Sequence, residues 1–184
     1  MSIRHCRQQQ GFSLIELCVV VAISAIIAAI EIPVGIGMRN RYQLRESASD
    51  VLSAFKRAQS EAVRRNSSVA ITVTTGTPGT CTVFVDDGTG GGVAKNLIQD
   101  GAELTLFTTT TQTGNSLAND LVTPLPVVAL KPTVEFTSGG IPSGTGILNI
   151  AGGAGLGVLY RVNLLSAAGH VTLQVSTNGG ATWN

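Results

Sequence analysis

A carboxylate inside an apolar run is the clearest chemical signal in the sequence. Phe12 to Ile30 is almost wholly apolar, interrupted only by Ser13, Glu16 and Ser24. In hydrocarbon an isolated Asp, Lys or Arg at mid-helix costs about 2.5 to 3.5 kcal/mol, and Glu16, near the start of the run, somewhat less. Packing gives no reason to meet that cost, so Glu16 calls for a partner. Gly11 precedes Phe12, and a cut between them would expose a new amine at Phe12, one helical turn from Glu16 or from the Glu16 of a neighbouring helix. Pairing of amine and carboxylate between chains would turn a solvation penalty into a recognition signal.

Other residues with chemical capacity read more simply. Asp86-Asp87-Gly88-Thr89-Gly90-Gly91-Gly92 offers oxygen ligands for calcium but lacks the third spaced carboxylate and terminal Glu of an EF-hand, so it reads as a turn between strands. Gly152-Gly153-Ala154-Gly155-Leu156-Gly157 is not in dinucleotide-binding order and reads as a flexible loop. His170 has no Ser or Asp at triad spacing. Cys6, Cys18 and Cys81 are too few and too scattered for a disulfide framework or a zinc site. The sequence predicts no catalysis, no cofactor and no metal.

The elements that must position Glu16 follow from patterning. Residues 1–11 are polar and carry Arg4, His5 and Arg7 without an acid. The nineteen residues from Phe12 to Ile30 cover about 28 Å at helical rise, enough for a hydrocarbon layer of about 30 Å. The positive flank is expected to stay cytoplasmic and the rest to be exported. Pro33, Gly35 and Gly37 predict a kink or local melting. From Arg39 to Arg65, Leu44, Ala48, Val51, Leu52, Phe55, Ala58, Ala62 and Val63 recur at spacings of three and four, predicting an amphipathic helix. Seven cations share this stretch, Arg39, Arg41, Arg45, Lys56, Arg57, Arg64 and Arg65. They are expected to form a solvated face, with Arg41 and Arg45 pairing with Glu46, Asp50 and Glu61 within the helix and between chains; a nucleic-acid or lipid-headgroup face is the alternative.

After Asn66 glycine, proline and threonine dominate, and alternating runs predict strands. The runs are Val69-Ile71-Val73, Val83-Val85, Leu104-Leu106, Val134-Phe136, Leu148-Ile150, Tyr160-Val162-Leu164 and Val171-Leu173-Val175, the last two as a hairpin. The helix over 39–65 is the natural cover for one face of the resulting sheet. Ser176 to Trp183 predicts a structural turn. With 12 Lys+Arg against 11 Asp+Glu in 184 residues, no long charged block exists, which excludes wholesale disorder and a strongly basic nucleic-acid coat.

The basic leader ending in Gly11, then Phe12, Glu16, the apolar helix and Pro33 resemble the type IV prepilin class. The stretch Leu52 to Asn66 with its following strand, Val134-Glu135-Phe136-Thr137-Ser138-Gly139-Gly140 and Leu165-Ser166-Ala167-Ala168-Gly169-His170-Val171 resemble the GspH/FimT family of minor pilins and pseudopilins. The resemblance implies an α+β pilin fold, a long N-terminal helix packed on an antiparallel β-sheet head. Its expected parts are a leader over 1–11 cleaved after Gly11, a transmembrane helix over 12–32, an amphipathic helix over 33–66 and a β-rich periplasmic head over 67–184.

It implies further that a prepilin peptidase cuts between Gly11 and Phe12, that Phe12 is N-methylated, and that Glu16 neutralises a neighbour's amine during assembly. The expected function is a minor pilin or pseudopilin of a type II secretion or type IV pilus filament, priming or capping its tip. Expected partners are other minor pilins, the major pilin or pseudopilin, and the inner membrane, with the N-terminus cytoplasmic. One alternative is a FimT-type DNA-binding pilin of natural transformation, and another is a membrane-anchored β-domain unrelated to filaments. The first departs from the sequence in two ways: His170 follows Gly169 with no arginine after it, and residues 66–184 hold Lys95, Lys131 and Arg161 against six carboxylates.

Overall fold

The computed structural model describes residues 12–119, 124–128, 131–153, 156–165 and 168–184, with the backbone alone for 31–34. It divides into two compact units, residues 1–38 and 39–184. Helix α1 runs Leu14–Arg65 and contributes to both.

In the first unit α1 opens where Leu17 donates its amide to the Ser13 carbonyl at 3.2 Å. The apolar side chains from Phe12 to Ile30 are exposed around the helix, and nothing among the described residues covers them. A window here has mean hydropathy 2.6, long and apolar enough to cross a membrane. The polar Ser24 is tolerated because its hydroxyl donates to the Val20 carbonyl at 2.7 Å, one turn back. The helix continues through Pro33, Gly35 and Gly37, so the local melting expected there is not observed. Proline removes a single amide from the ladder, and turns on both sides propagate the helix past it.

The second unit is α1 from Arg39 onward with nine strands in two antiparallel sheets. Strands β1 (Val69–Thr74), β2 (Thr80–Val85), β3 (Thr105–Thr110), β5 (Val127–Val128) and β6 (Lys131–Phe136) form one sheet in the order β3-β2-β1-β6-β5. Strands β4 (Ser116–Asn119), β7 (Gly146–Ala151), β8 (Leu159–Leu164) and β9 (Val171–Ser176) form the other in the order β4-β7-β8-β9. The expected hairpin is present, with Tyr160 opposite Val175 and Leu164 opposite Val171. The sequence pointed to one sheet; the second arises because β6 returns to β1, placing Ile71 opposite Val134, while β7, β8 and β9 pair only among themselves and with β4.

One core joins these elements. Leu44, Ala48, Val51, Phe55, Ala58 and Ala62 lie fully buried on α1 against Val69, Ile71, Val73, Val134 and Phe136 of one sheet and Leu148, Ile150, Val162 and Leu164 of the other. The expected stripe needs two corrections. Val63 is 55% exposed, because it sits past the edge of the buried face, whereas Ala54 and Ser47 are buried. Ser47 is satisfied there, since its Oγ accepts from the Gln112 amide and the Asn115 side chain at 2.9 and 3.0 Å.

The helix ends by a defined cap. Asn66 takes a left-handed φ of 49°, its amide reaches the Val63 carbonyl, and the Ser67 amide reaches the Ala62 carbonyl, both at 3.3 Å. This is a Schellman closure with Asn in the glycine position, and Arg64 and Arg65 in the last turn favour the negative end of the helix dipole.

Candidate functional site

The N-terminal motif lies at the start of α1. Gly11 lies outside the described residues. Phe12 is 81% exposed just before the helix, and Glu16 is exposed in its first turn, where a carboxylate favours the positive end of the helix dipole. Ser13 and Glu16 have the S-x-x-E spacing of a capping box, a helix-start signal that the sequence reading passed over. Phe12 and Glu16 therefore stand within one turn of each other, and Glu16 makes no hydrogen bond or ion pair among the described residues. Pro33 lies within α1, its side chain outside the description.

The two glycine-bearing motifs of the head converge on one helix residue. Gln59 donates from Nε2 to the Gly140 carbonyl at 3.0 Å. Gly140 and Gly169 both have left-handed φ, 74° and 75°. A Cβ on Gly140 would press on Val63 and Gln59, and one on Gly169 would collide with Gln59 Nε2. Glycine is thus required twice where the β6–β7 and β8–β9 loops close on α1. These motifs hold the helix to both sheets, and the glycines in Thr137-Ser138-Gly139-Gly140 and in Ala168-Gly169 were the signal for it.

The acidic loop between β2 and β3 is committed to its own backbone. Asp86 accepts from the amides of Asn96 and Leu97 at 3.3 and 2.8 Å, and Asp100 accepts from the Val93 amide and the Asn96 side chain at 3.0 and 2.7 Å. Glu103 accepts from the amides of Gly88 and Asp100 at 2.9 and 3.2 Å. The Thr89 hydroxyl and amide hold the Asp87 carboxyl below its usual range. Among the described residues no three His, Cys, Asp or Glu side chains gather as metal ligands.

A groove of about 350 Å³ runs along the outer face of the β3-β2-β1-β6-β5 sheet, lined by Thr72, Thr82, Thr133, Phe84, Leu97 and Lys131 among others. No carboxylate, histidine, serine or cysteine lines it, so it offers no nucleophile with a base beside it. On the other sheet Arg161 stacks over Trp183 at 4.2 Å and donates to Gln174 at 2.8 Å. Ser176 and Asn178 tie the 176–183 turn internally: the Gly180 amide donates to Ser176 Oγ and the Thr182 amide to Asn178 Oδ1. His170 is exposed, with its carbonyl accepting from Leu165.

Of the helix cations, Arg64 and Arg65 pair with Glu61 at 2.5 and 2.9 Å. Hydrogen bonds from Arg64 and then Arg65 hold the Glu61 carboxyl down at about 2. Arg57 lies 4.3 Å over the Phe107 ring. The expected pairing of Arg41 and Arg45 with Glu46 or Asp50 within the helix does not form, because the spacings put these acids one to nine residues away and never at three or four in the same face as both arginines.

The prokaryotic N-terminal methylation motif matches residues 6–30, bracketing Phe12 and Glu16. The family model described as type II transport protein GspH matches residues 47–179, from the buried stripe of α1 through all nine strands. No curated protein and no solved structure matches the chain. A family match over more than half of the chain, on a helix-plus-antiparallel-sheet fold, means that this chain belongs to the GspH family of pilin-like proteins.

Proposed function

We propose that the chain is a minor pilin or pseudopilin that primes or caps the tip of a type II secretion or type IV pilus filament. Members of the family are structural filament subunits, and the methylation motif implies processing by a prepilin peptidase and association with other pilins or pseudopilins. In this reading the peptidase removes residues 1–11, cutting between Gly11 and Phe12, and the new amine of Phe12 is methylated. The helix over 12–32 holds the subunit in the inner membrane, N-terminus cytoplasmic, until the filament takes it up. Pro33 allows a bend where the helix leaves the membrane, and the periplasmic head over 67–184 meets partner subunits or cargo.

The observation that carries this reading is that Glu16, one turn from Phe12, has no partner among the described residues and lies on a helix whose apolar surface they leave exposed. Both features are costly in a lone subunit and are relieved together in a bundle, where Glu16 neutralises a neighbour's Phe12 amine. The test is the intact mass and N-terminal sequence of the protein recovered from membranes of a host carrying its own prepilin peptidase. The expected result is a chain starting at Phe12 with one added methyl group. An uncut chain, or one cut after Ser24, overturns it. Glu16→Ala should then abolish filament incorporation alongside wild-type partners, with the chain still processed.

A further inference from the structure

The groove of about 350 Å³ on the outer face of the β3-β2-β1-β6-β5 sheet falls within the ~300 to 1,000 Å³ of small-ligand pockets. Its floor is a row of hydroxyls. Thr82, Thr72 and Thr133 stand opposite one another on β2, β1 and β6, and Thr74 lies two residues beyond Thr72 on the same face. Its wall is held in place by a buried carboxylate: Leu97 has a left-handed φ of 64°, uncommon for a residue other than glycine, and donates its amide to Asp86, itself 1% exposed. Ile98, 42% exposed, and Val128 add apolar surface to the lining.

The fold leaves several of these polar groups unused. Thr74 Oγ1, Gln99 Oε1 and Lys131 Nζ have no partner among the described residues. Thr82 Oγ1 accepts from Thr108 at 3.4 Å and keeps its own proton to donate. The backbone of β2, β1 and β6 is spent in the sheet ladders, so a ligand on this face meets side chains and not amides. An extended peptide added to a sheet is held chiefly by main-chain bonds and gains little here. A ligand rich in hydroxyls matches the threonines and Gln99, and the C–H faces of a sugar ring suit Ile98 and Val128. Lys131 is the one cation of the lining and no carboxylate accompanies it, so the local charge favours an anion. Along β6 the next acid on this face is the buried Glu135, four residues or about 13 Å from Lys131.

We propose that this groove binds an acidic sugar, a uronate residue of a polysaccharide, with Lys131 pairing its carboxylate and Thr74, Thr82 and Gln99 bonding its hydroxyls. The site lies wholly in the second unit and is independent of the filament reading.

The experiment is a titration of the full chain, in a polyoxyethylene detergent free of sugar groups, with trigalacturonate and with its neutral methyl ester, followed by saturation-transfer NMR. The acid should bind about three- to tenfold more tightly than the ester at ~0.05 M salt, the range of one charge-assisted bond at a partly exposed site. K131Q should remove that preference, whereas K95Q, which deletes the same charge outside the groove, should keep it. T74V/T82V preserves the β-branched shape and should weaken acid and ester alike, by at least about fivefold. No transfer to either ligand at ~10 mM overturns the proposal, as does binding that K131Q and T74V/T82V leave unchanged. Equal displacement by triglutamate also overturns it, because the groove would then take any run of carboxylates and read no sugar.

Discussion

Cys81 has no exposed surface on β2, opposite Val73 of β1, and belongs to the common core. Burial without a charged neighbour penalises the thiolate and pushes its pKa up to about 12. In the folded chain Cys81 is therefore a small apolar side chain and not a nucleophile. Because the folded value lies above the ordinary 9.0, the associated stability is intact below pH 9 and is lost as pH rises toward 12, by about 1.4 kcal/mol per pH unit for one proton. Alkylation of the full chain in detergent at pH 8 should leave Cys81 untouched until denaturant is added, as read by peptide mass. Rapid modification of Cys81 in the native chain would contradict its place in the core. Glu16 and Cys81 are thus opposite cases. Glu16 was legible as chemistry from its apolar neighbours alone, whereas Cys81 carried no local sign of its burial, which depends on α1 covering β2.

At the scale of elements, the helix over 39–65 and seven of the strands were legible because their apolar periods, three-to-four and two, are local properties of the chain. The errors are equally physical. Val63 fits the three-and-four spacing, but the helix passes its last packed turn at Ala62, so Val63 faces outward beside Gly140. The strands β4 and β5 were missed because they are short edge strands, Ser116–Asn119 and Val127–Val128, with Leu117 the single buried residue in the first. The division into two sheets was invisible because it depends on pairings such as Ala70 with Glu135, far apart in sequence. The Gln59 contact with Gly140 and Gly169 was likewise beyond local reading, although its glycines were visible. The corrected stripe makes a paired prediction for the full chain in detergent. Phe55→Ala should cost about 3 to 5 kcal/mol by emptying a fully buried site, whereas Val63→Ala should stay within about 0.5 kcal/mol. Denaturant midpoints followed by near-UV circular dichroism separate the two, and equal effects would mean that the buried face is rotated from the one described.

Across the whole molecule, charge is divided between the helix and the β-sheets. From Arg39 to Arg65 seven cations meet three carboxylates, a balance of +4, whereas residues 66–184 set three cations against six carboxylates, a balance of −3. The fold reduces the basic side further: Arg64 and Arg65 are taken by Glu61, and Arg57 lies on Phe107. Arg39, Arg41, Arg45 and Lys56 remain for phosphate on the helix, and the exposed Lys95 and Lys131 add two more outside it. Nucleic acid binding is governed by how many phosphates a protein neutralises, with log K falling against log salt at about −0.9 per contact. Six contacts set a ceiling near −5 on that slope. Gel retardation of duplex DNA by the chain from Phe12 onward in non-ionic detergent should therefore show no retained complex at ~0.15 M salt, and any retention at ~0.05 M should fade with a slope no steeper than about −5. A slope of −6 or beyond would require a basic face that neither the sequence nor the fold supplies. It would shift the reading of this GspH-family chain from filament subunit toward DNA receptor.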